Sequence, residues 1–362
     1  MRILVVTGSS GGHIFPALAF LEALKQKCPQ DECLLVLPKK IVAINAQVAG
    51  CKLEYIPSSP VKPALSLKFL FSVWDFLRSI ARSIFILADF GPDAVVSFGS
   101  ITSVPIVLCA WLFRVKAIIH EQNVIPGRAN KFLSFFADRI AVSFLATKEY
   151  IKNSGSKIIL TGNPLRRELI KVDKNQARDY FCLDHDKFTI FVTGGSQGSH
   201  RVNNSLLGAL RVIKNPGKCL QVIHITGRQD YELAVDTYKQ LAIEAKVFCF
   251  LEPIHYAYSA SDLLVSRSGA TTVSELMRFH LPAIMIPYPF AYQHQLANAR
   301  ILEQDGSVVI VNDKDLESGV LAEKIDYFIN NPDKLTGMRL SYPKTDQDDA
   351  AGLLVDALIA LF

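Results

Sequence analysis

The stretch Ser266-Arg-Ser-Gly-Ala-Thr-Thr-Val-Ser-Glu275 runs from a short apolar segment, Asp262–Val265, into residues of helical character. Gly269 and Ala270 permit a tight turn, after which Thr271 or Thr272 is placed to cap a helix beginning near Val273. The first amides of such a helix lack intrahelical partners. Together with the positive end of the helix dipole they attract an anion such as a phosphate. Glu275, one turn in, is wrong for phosphate but suits the neighbouring hydroxyls of a sugar. A nucleotide presents both groups side by side. A capped core helix with a solvated glutamate has the same local sequence, so other stretches must decide.

Two glycine turns carry the next signal. Gly8-Ser-Ser-Gly-Gly12 and Gly194-Gly-Ser-Gln-Gly198 each fit the Gly-x-Ser-x-Gly elbow of hydrolases. A hydrolase needs one such turn, with a partner from among His224, His255, His280 and His294; two copies at corresponding places favour backbone cradles. Neither turn is Gly-x-Gly-x-x-Gly, and the second strand ends in Pro38-Lys39-Lys40 where a dinucleotide site wants an acid. No Gly-Lys-Ser/Thr occurs, which removes the P-loop. His13 sits at a helix start beside the first turn, where its side chain would project into the cleft. The polar run His120-Glu121-Gln122-Asn123 directly follows a buried strand, and Gln295 and Asn298 after Pro287-Tyr-Pro offer amides for sugar hydroxyls. Asp184-His185-Asp186 and Asp313-Lys314-Asp315 read as solvated turns, not metal ligands. No metal or cofactor is called for if amides, dipoles and an arginine neutralise a leaving diphosphate.

Strand, glycine turn, helix: Arg2–Thr7, Gly8–His13 and a helix with Pro16 in its first turn make one α/β unit. Further strands are expected at Cys33–Leu37, Lys52–Ile56, Ala94–Ser97, Ala117–His120, Arg139–Val142 and Lys157–Leu160. The residues Thr161–Arg167 and the polar run Lys171–Lys187 read as a linker. The design then restarts with Phe188–Thr193, followed by strands at Gln221–Ile225, Lys246–Phe250, Asp262–Val265, Pro282–Ile286 and Ser307–Ile310. This is an α/β chain of two doubly wound, Rossmann-like halves facing across a cleft, with ligands at the strands' carboxyl ends. The domains are expected at 1–162 and 163–340, with a C-terminal helix in 341–362 packing back on the body.

The bulk properties agree. At 362 residues, half of them hydrophobic, the chain supports two cores. The balance of 39 basic and 34 acidic residues is too mild to argue for nucleic acid. Seven scattered cysteines without a Cys-x-x-Cys pair suggest a reducing compartment, and Met1-Arg2 leads straight into a strand with no secretion signal.

With these pieces placed, the chain resembles the MurG family of bacterial glycosyltransferases. The resemblance rests on Gly8–Pro16, His120–Asn123 with Pro126-Gly127 and Asn130, Gly162-Asn-Pro-Leu-Arg166, Gly194–Gly198, Arg267–Glu275, and His294-Gln295 with Asn298. It implies the GT-B fold and inverting transfer of N-acetylglucosamine from UDP-GlcNAc to the 4-hydroxyl of the N-acetylmuramoyl unit of lipid I (undecaprenyl-pyrophosphoryl-MurNAc-peptide), giving lipid II for peptidoglycan. It also implies a peripheral place on the cytoplasmic side of the plasma (inner) membrane, and partners in a cell-wall assembly. Carried over by position, the donor would meet Ser10, Gly11, Gly12, Asn123, Arg166, Ser196, Leu251, Ala270, Thr271, Thr272, Val273, Ser274, Glu275 and Gln295. Arg166 and the Ser196 turn would hold the diphosphate, Glu275 the ribose, the backbone near Leu251 the uracil, Gln295 the sugar, and His13 would act as base. Another UDP-sugar enzyme of this fold, a different lipid glycosyltransferase or a UDP-GlcNAc 2-epimerase, or a non-catalytic UDP-sugar binder, would share this grip. Ser9 and Ser10 stand where the family has Gly-Thr, Ser100 where a second glycine is usual, and His294 where glutamine is common.

Ser66–Asp89 reads as a long helix with a wide apolar face including Leu65, Phe69, Leu70, Trp74, Leu77 and Phe85. Its charges forbid spanning. That face is either core or rests on a bilayer, helped by Lys62, Lys68, Arg78, Arg82 and the nearby segment Arg128–Phe136.

Overall fold

The computed structural model describes residues 1–39, 50–57, 67–152, 155–195, 198–290, 293–316, 318–343 and 349–362. The chain folds as two compact units, residues 1–166 with 346–362, and residues 167–345.

In the first unit the elements are β1 (Arg2–Val6), α1 (Gly11–Lys27), β2 (Glu32–Pro38), β3 (Lys52–Ile56), α2 (Leu67–Phe90), β4 (Ala94–Ser97), α3 (Ser103–Leu112), β5 (Lys116–Glu121), α4 (Arg128–Leu133), β6 (Arg139–Val142) and β7 (Ile158–Leu160). Their strands form a parallel sheet in the order β3-β2-β1-β4-β5-β6-β7. Strands such as β1 and β4 are apolar without alternation because helices cover both faces of the sheet. The order reverses between β1 and β4, where Val6 pairs with Ser97. In open α/β sheets ligands bind beyond the carboxyl ends of the strands at such a reversal.

The second unit holds α5 (Lys174–Tyr180), β8 (Phe188–Thr193), α6 (His200–Val212), α7 (Pro216–Cys219), β9 (Leu220–Ile225), α8 (Tyr231–Gln240), β10 (Glu244–Phe248), α9 (Ile254–Ala260), β11 (Leu263–Ser266), α10 (Ala270–Phe279), β12 (Ala283–Met285), α11 (His294–Gln304), β13 (Val308–Ile310), α12 (Ser318–Asn330) and α13 (Pro332–Leu340). Its parallel sheet runs β10-β9-β8-β11-β12-β13 and reverses between β8 and β11. The polar run Lys171–Lys187 is not a linker. Asp173 caps α5 through the amides of Asn175 and Gln176, and the buried Arg178 bonds Asp262 at 2.8 Å, so the run belongs to this unit's body. The last helix, α14 (Ala350–Ile359), returns to the first unit. Ala351, Leu354, Val355 and Leu358 join Phe20, Leu21 and Leu24 of α1 in one core, and Lys27 bonds Asp356 at 2.7 Å.

Two local expectations fail for the same reason. α1 begins at Gly11, which puts Pro16 at its sixth residue, and α10 begins at Ala270, which puts Thr271 and Thr272 inside its first turn. In each case no side chain caps the helix. Ser10 and Gly269 are extended, and their carbonyls accept from Ile14 and Val273 at 3.0 Å. A strand also shifts: β10 ends at Phe248, two residues before the expected Phe250.

Candidate active site

At the reversal of the first sheet, the chain leaves β1 through Thr7–Ser10, and Gly11, Gly12 and His13 form the first turn of α1. The earliest amides of this turn have no intrahelical acceptor and form an anion-attracting end. Ser10 Oγ and His13 Nδ1 lie 2.6 Å apart. The half-buried imidazole is desolvated, which lowers its pKa to about 4, so it is neutral at physiological pH. When Nδ1–H donates to Ser10 Oγ, the lone pair sits on Nε2 and can take a proton. Arg166, at the end of the Gly162–Arg166 motif, stacks its guanidinium over Phe15 with 4.7 Å to the ring centroid. Ser10, His13 and Arg166 therefore gather around one helix start.

Ser100, after β4, packs against this turn. It holds φ +74°, a left-handed conformation that suits glycine and costs other residues about 1 kcal/mol or more. A Cβ placed at Gly8 would lie 2.6 Å from Ser100 Cβ and 3.3 Å from His13 Nδ1. We expect Ser100→Gly to stabilise the protein by about 0.5 kcal/mol, the relieved strain exceeding the added unfolded-state entropy, as an upward shift of the urea midpoint.

The end of β5 is built around Glu121, which is buried. Its carboxylate accepts from the Asn123 amide at 2.8 Å, Asn123 Nδ2 at 3.2 Å, the Gly127 amide at 3.0 Å and Asn130 Nδ2 at 2.8 Å. Burial raises its pKa against the opposing pull of these bonds. Asn123 is thus held by Glu121. His120, also buried, lies 2.9 Å through Nε2 from the Gly162 carbonyl, and Gln122 Nε2 donates to its Nδ1 at 3.3 Å. That fixes the neutral tautomer with hydrogen on Nε2 and ties β5 to the Gly162–Arg166 motif. Next to this bond, Asn163 is buried with neither side-chain polar atom bonded among the described residues.

In the second unit, Gly194 and Gly195 follow β8, while Ser196 and Gln197 lie outside the described residues. Gly198 has φ +75°, and a Cβ there would sit 2.1 Å from the Thr226 carbonyl, so only glycine fits. Across the reversal, Ser266, Arg267 and Ser268 lead from β11 into α10. The hydroxyls of Ser266, Ser268 and Thr271 are buried without a partner among the described residues, a concentration of polar groups able to accept and donate hydrogen bonds. Ala270, Thr271, Thr272, Val273 and Ser274 form the first turn and a half of α10, whose first amides have no intrahelical acceptor. Glu275 is buried and its Oε2 accepts from Tyr258 Oη at 2.7 Å. Leu251 is buried in the loop after β10. Gln295, in the first turn of α11, accepts the Tyr288 amide at 2.9 Å, and Asn298 donates to the Ser268 carbonyl at 3.3 Å. His294 is the first residue of α11. Asp313 departs from its expected reading: it is buried and pairs with Arg267 and Arg201, while Asp184 and Asp186 remain exposed in a turn.

A second buried histidine, His224, lies 3.1 Å from Asn203 Oδ1 and 2.8 Å from Tyr238 Oη, and burial lowers its pKa to about 3; that of His120 falls to about 4. Because both folded values lie below the ordinary 6.5, their neutral forms favour folding above that pH. The contribution is lost as pH falls from 6.5 toward 4. We expect roughly 2 kcal/mol lost per histidine by pH 5, read as lower urea midpoints than at pH 7.5.

The chain matches the family profile described as the glycosyltransferase family 28 N-terminal domain over residues 3–142, and that of the family's C-terminal domain over residues 189–351. A relative from Thermodesulfovibrio yellowstonii, named UDP-N-acetylglucosamine--N-acetylmuramyl-(pentapeptide) pyrophosphoryl-undecaprenol N-acetylglucosamine transferase, is 36% identical over 94% of this chain and 93% of its own. The protein of that name from Listeria monocytogenes is 33% identical over 100% and 99%. The chain belongs to the MurG family of glycosyltransferases. The crystal structure of MurG from Acinetobacter baumannii has a TM-score of 0.76 at 24% identity, covering 99% of this chain and 100% of that one. The UDP-GlcNAc 2-epimerase of Neisseria meningitidis, solved with UDP-GlcNAc, has a TM-score of 0.70 at 18% identity, covering 99% and 100%. These two likenesses speak for a shared GT-B fold.

Within the MurG family reading, the groups missed from sequence are those that act across distance. Tyr258 supports Glu275 from α9, and Asp313 supports Arg267 from 46 residues away. The one signal that could have found Ser266 and Ser268 is their alternation with Arg267 at a strand end.

Proposed function

We infer that this chain transfers N-acetylglucosamine from UDP-N-acetylglucosamine to the 4-hydroxyl of the N-acetylmuramoyl unit of lipid I, inverting the anomeric carbon. The observation that carries this is the 36% identity to a transferase of that name over 94% of the chain. The site chemistry supports it. Within the second unit the α10 amides suit a diphosphate, Glu275 a ribose, the Leu251 loop a uracil and Gln295 a sugar; Arg166, in the first unit, is a guanidinium suited to phosphate oxygens. In the reaction the acceptor oxygen forms a bond to C1 as the bond from C1 to UDP breaks. The electron pair leaves on the diphosphate and the hydroxyl proton passes to His13 Nε2. Ser10, Gly11 and Gly12 lie at the helix start beside that base, Asn123 is assigned to the donor from the loop after β5, and the Gly194–Gly198 turn with Ser196 is assigned to the phosphates.

The test is release of UDP from UDP-N-acetylglucosamine by purified protein, with and without a lipid I analogue and with EDTA present. Release that needs the acceptor and survives EDTA supports the reading. Free sugar released without acceptor points to hydrolysis, and N-acetylmannosamine to epimerase chemistry; either would overturn it.

We further propose peripheral attachment to the cytoplasmic face of a membrane. No helix among the described residues is long and apolar enough to cross one. Trp74, Leu77 and Phe85 of α2, Trp111, Leu112 and Phe113 at the end of α3, and Phe132 and Phe135 are exposed, with Leu112 and Phe135 at 64% and 69%. Ile86, Leu87 and Phe90 of α2 are core, so its apolar surface is divided between the two expectations. Lys62 and Leu65, with the side chains of Lys68, Phe69 and Leu70, lie outside the described residues. Arg78 and Arg82 share α2 with this surface. The protein should sediment with anionic vesicles at low salt and release at high salt, with Leu112→Glu and Phe135→Glu together abolishing sedimentation; vesicle-indifferent behaviour would refute it.

A further inference from the structure

Arg267 lies one residue past β11 and is 8% exposed. Its guanidinium reaches the ends of three other strands of the same sheet. Nε donates to Ser199 Oγ at 3.2 Å, ahead of α6; Nη1 donates to the Ile286 carbonyl at 3.1 Å, one residue past β12; and Nη1 pairs with Asp313 Oδ1 beyond β13. Tyr288 stacks on it at 5.4 Å, and the Tyr288 amide is the group that holds Gln295 Oε1. Asp313 is equally buried. Its second oxygen takes Arg201 Nε at 2.9 Å, and its carbonyl takes Arg201 Nη2 at 2.5 Å. One charge pair therefore ties together the loops after β8, β11, β12 and β13.

A buried guanidinium needs an acid to remain buried. Without Asp313, Arg267 would turn toward water, withdrawing its bond from Ser199 and its stack from Tyr288. The Gly194–Gly198 turn and Gln295 would then lose a common brace. Arg201 plays a different part, since it touches Asp313 from the surface of α6 and contacts neither Tyr288 nor Ser199 among the described residues.

We propose that Asp313 is a positioning residue for sugar-nucleotide binding, acting through Arg267 on the loops that carry Ser199 and Gln295. The proposal rests on the donor assignment above. The test compares the full-length parent with Asp313→Asn, Asp313→Glu and Arg201→Ala, measuring UDP affinity by calorimetry, KM for donor and acceptor, and urea midpoints. Asp313→Asn should raise the UDP Kd and the donor KM about tenfold while leaving the acceptor KM at the parent value, as expected for displaced binding groups. Asp313→Glu keeps the charge and therefore the fold, but its longer arm displaces Arg267; it should raise the donor KM about threefold with a midpoint near the parent's. Arg201→Ala should lower the midpoint and leave the donor KM unchanged. A parent donor KM in Asp313→Glu, or in a folded Asp313→Asn, overturns the proposal while the donor assignment stands. A parent protein that does not bind UDP overturns the donor assignment and the proposal with it.

Discussion

Replacing His13 by alanine should lower kcat by about 10²- to 10⁴-fold, the usual contribution of a positioned base, and leave UDP affinity near that of the parent. The split follows from the local geometry. His13 sits in the first turn of α1, 2.6 Å from Ser10 Oγ, in the first unit, whereas the α10 amides and Glu275 belong to the second. Ser10→Ala should cost less, about tenfold, because it only frees the tautomer that Ser10 selects. The pH profile gives an independent reading. With a pKa lowered to about 4, His13 stays in its proton-accepting form down to that pH, so the acid limb of kcat/KM should fall well below the 6.5 of an ordinary histidine. Stopped-time assays of UDP release between pH 4.5 and 8 decide it. Parent turnover in His13→Ala would move the role of base to another group.

Glu121→Ala should destabilise the protein by about 3 kcal/mol or more, judged by the urea midpoint. The carboxylate is buried and satisfies four donors, two of them the backbone amides of Asn123 and Gly127 in the partly buried loop after β5. Removing it takes the carboxylate acceptor from both amides and from Asn123 Nδ2, and leaves Asn130 Nδ2 with the His120 carbonyl alone. Glu121→Gln is the sharper test, because it keeps the shape but turns one acceptor into a donor facing a donor. We expect it to cost about 2 kcal/mol and to lower kcat by loosening Asn123. A Gln variant with parent stability and activity would mean that the loop is held by other contacts.

Most of both sheets could be read from the sequence because parallel strands covered on both faces are runs of apolar residues with no alternation, as in Ile3–Val6 and Val95–Val96. The two glycine turns were equally legible, since their backbones approach neighbours too closely for a side chain, as Gly198 does to Thr226. What stayed hidden was set by partners distant in sequence. Nothing within Lys171–Lys187 announces that Arg178 meets Asp262, 84 residues on, and the polar run looked like a connector. Asp313 looked solvated in its own turn because the arginine that buries it, Arg267, lies just past β11, 46 residues earlier. Helix starts were misplaced where no side chain caps the helix, as at Ser10 and Gly269, so the sequence carries no capping signature there. Ser100 was the opposite case: its departure from glycine was visible, and the left-handed backbone it occupies accounts for the usual residue.

The return of α14 to α1 has a bearing on how the protein is made. Residues 167–345 form an uninterrupted unit, whereas the core under α1 is finished only by Ala351, Leu354, Val355 and Leu358. During synthesis the first 166 residues leave the ribosome early, yet the side of α1 that faces α14 stays uncovered until the following 190 or so have been added, a delay of roughly 10 to 40 s at common elongation rates. The later unit can close first. The earlier one is the natural client for a chaperone that shields apolar helices on nascent chains.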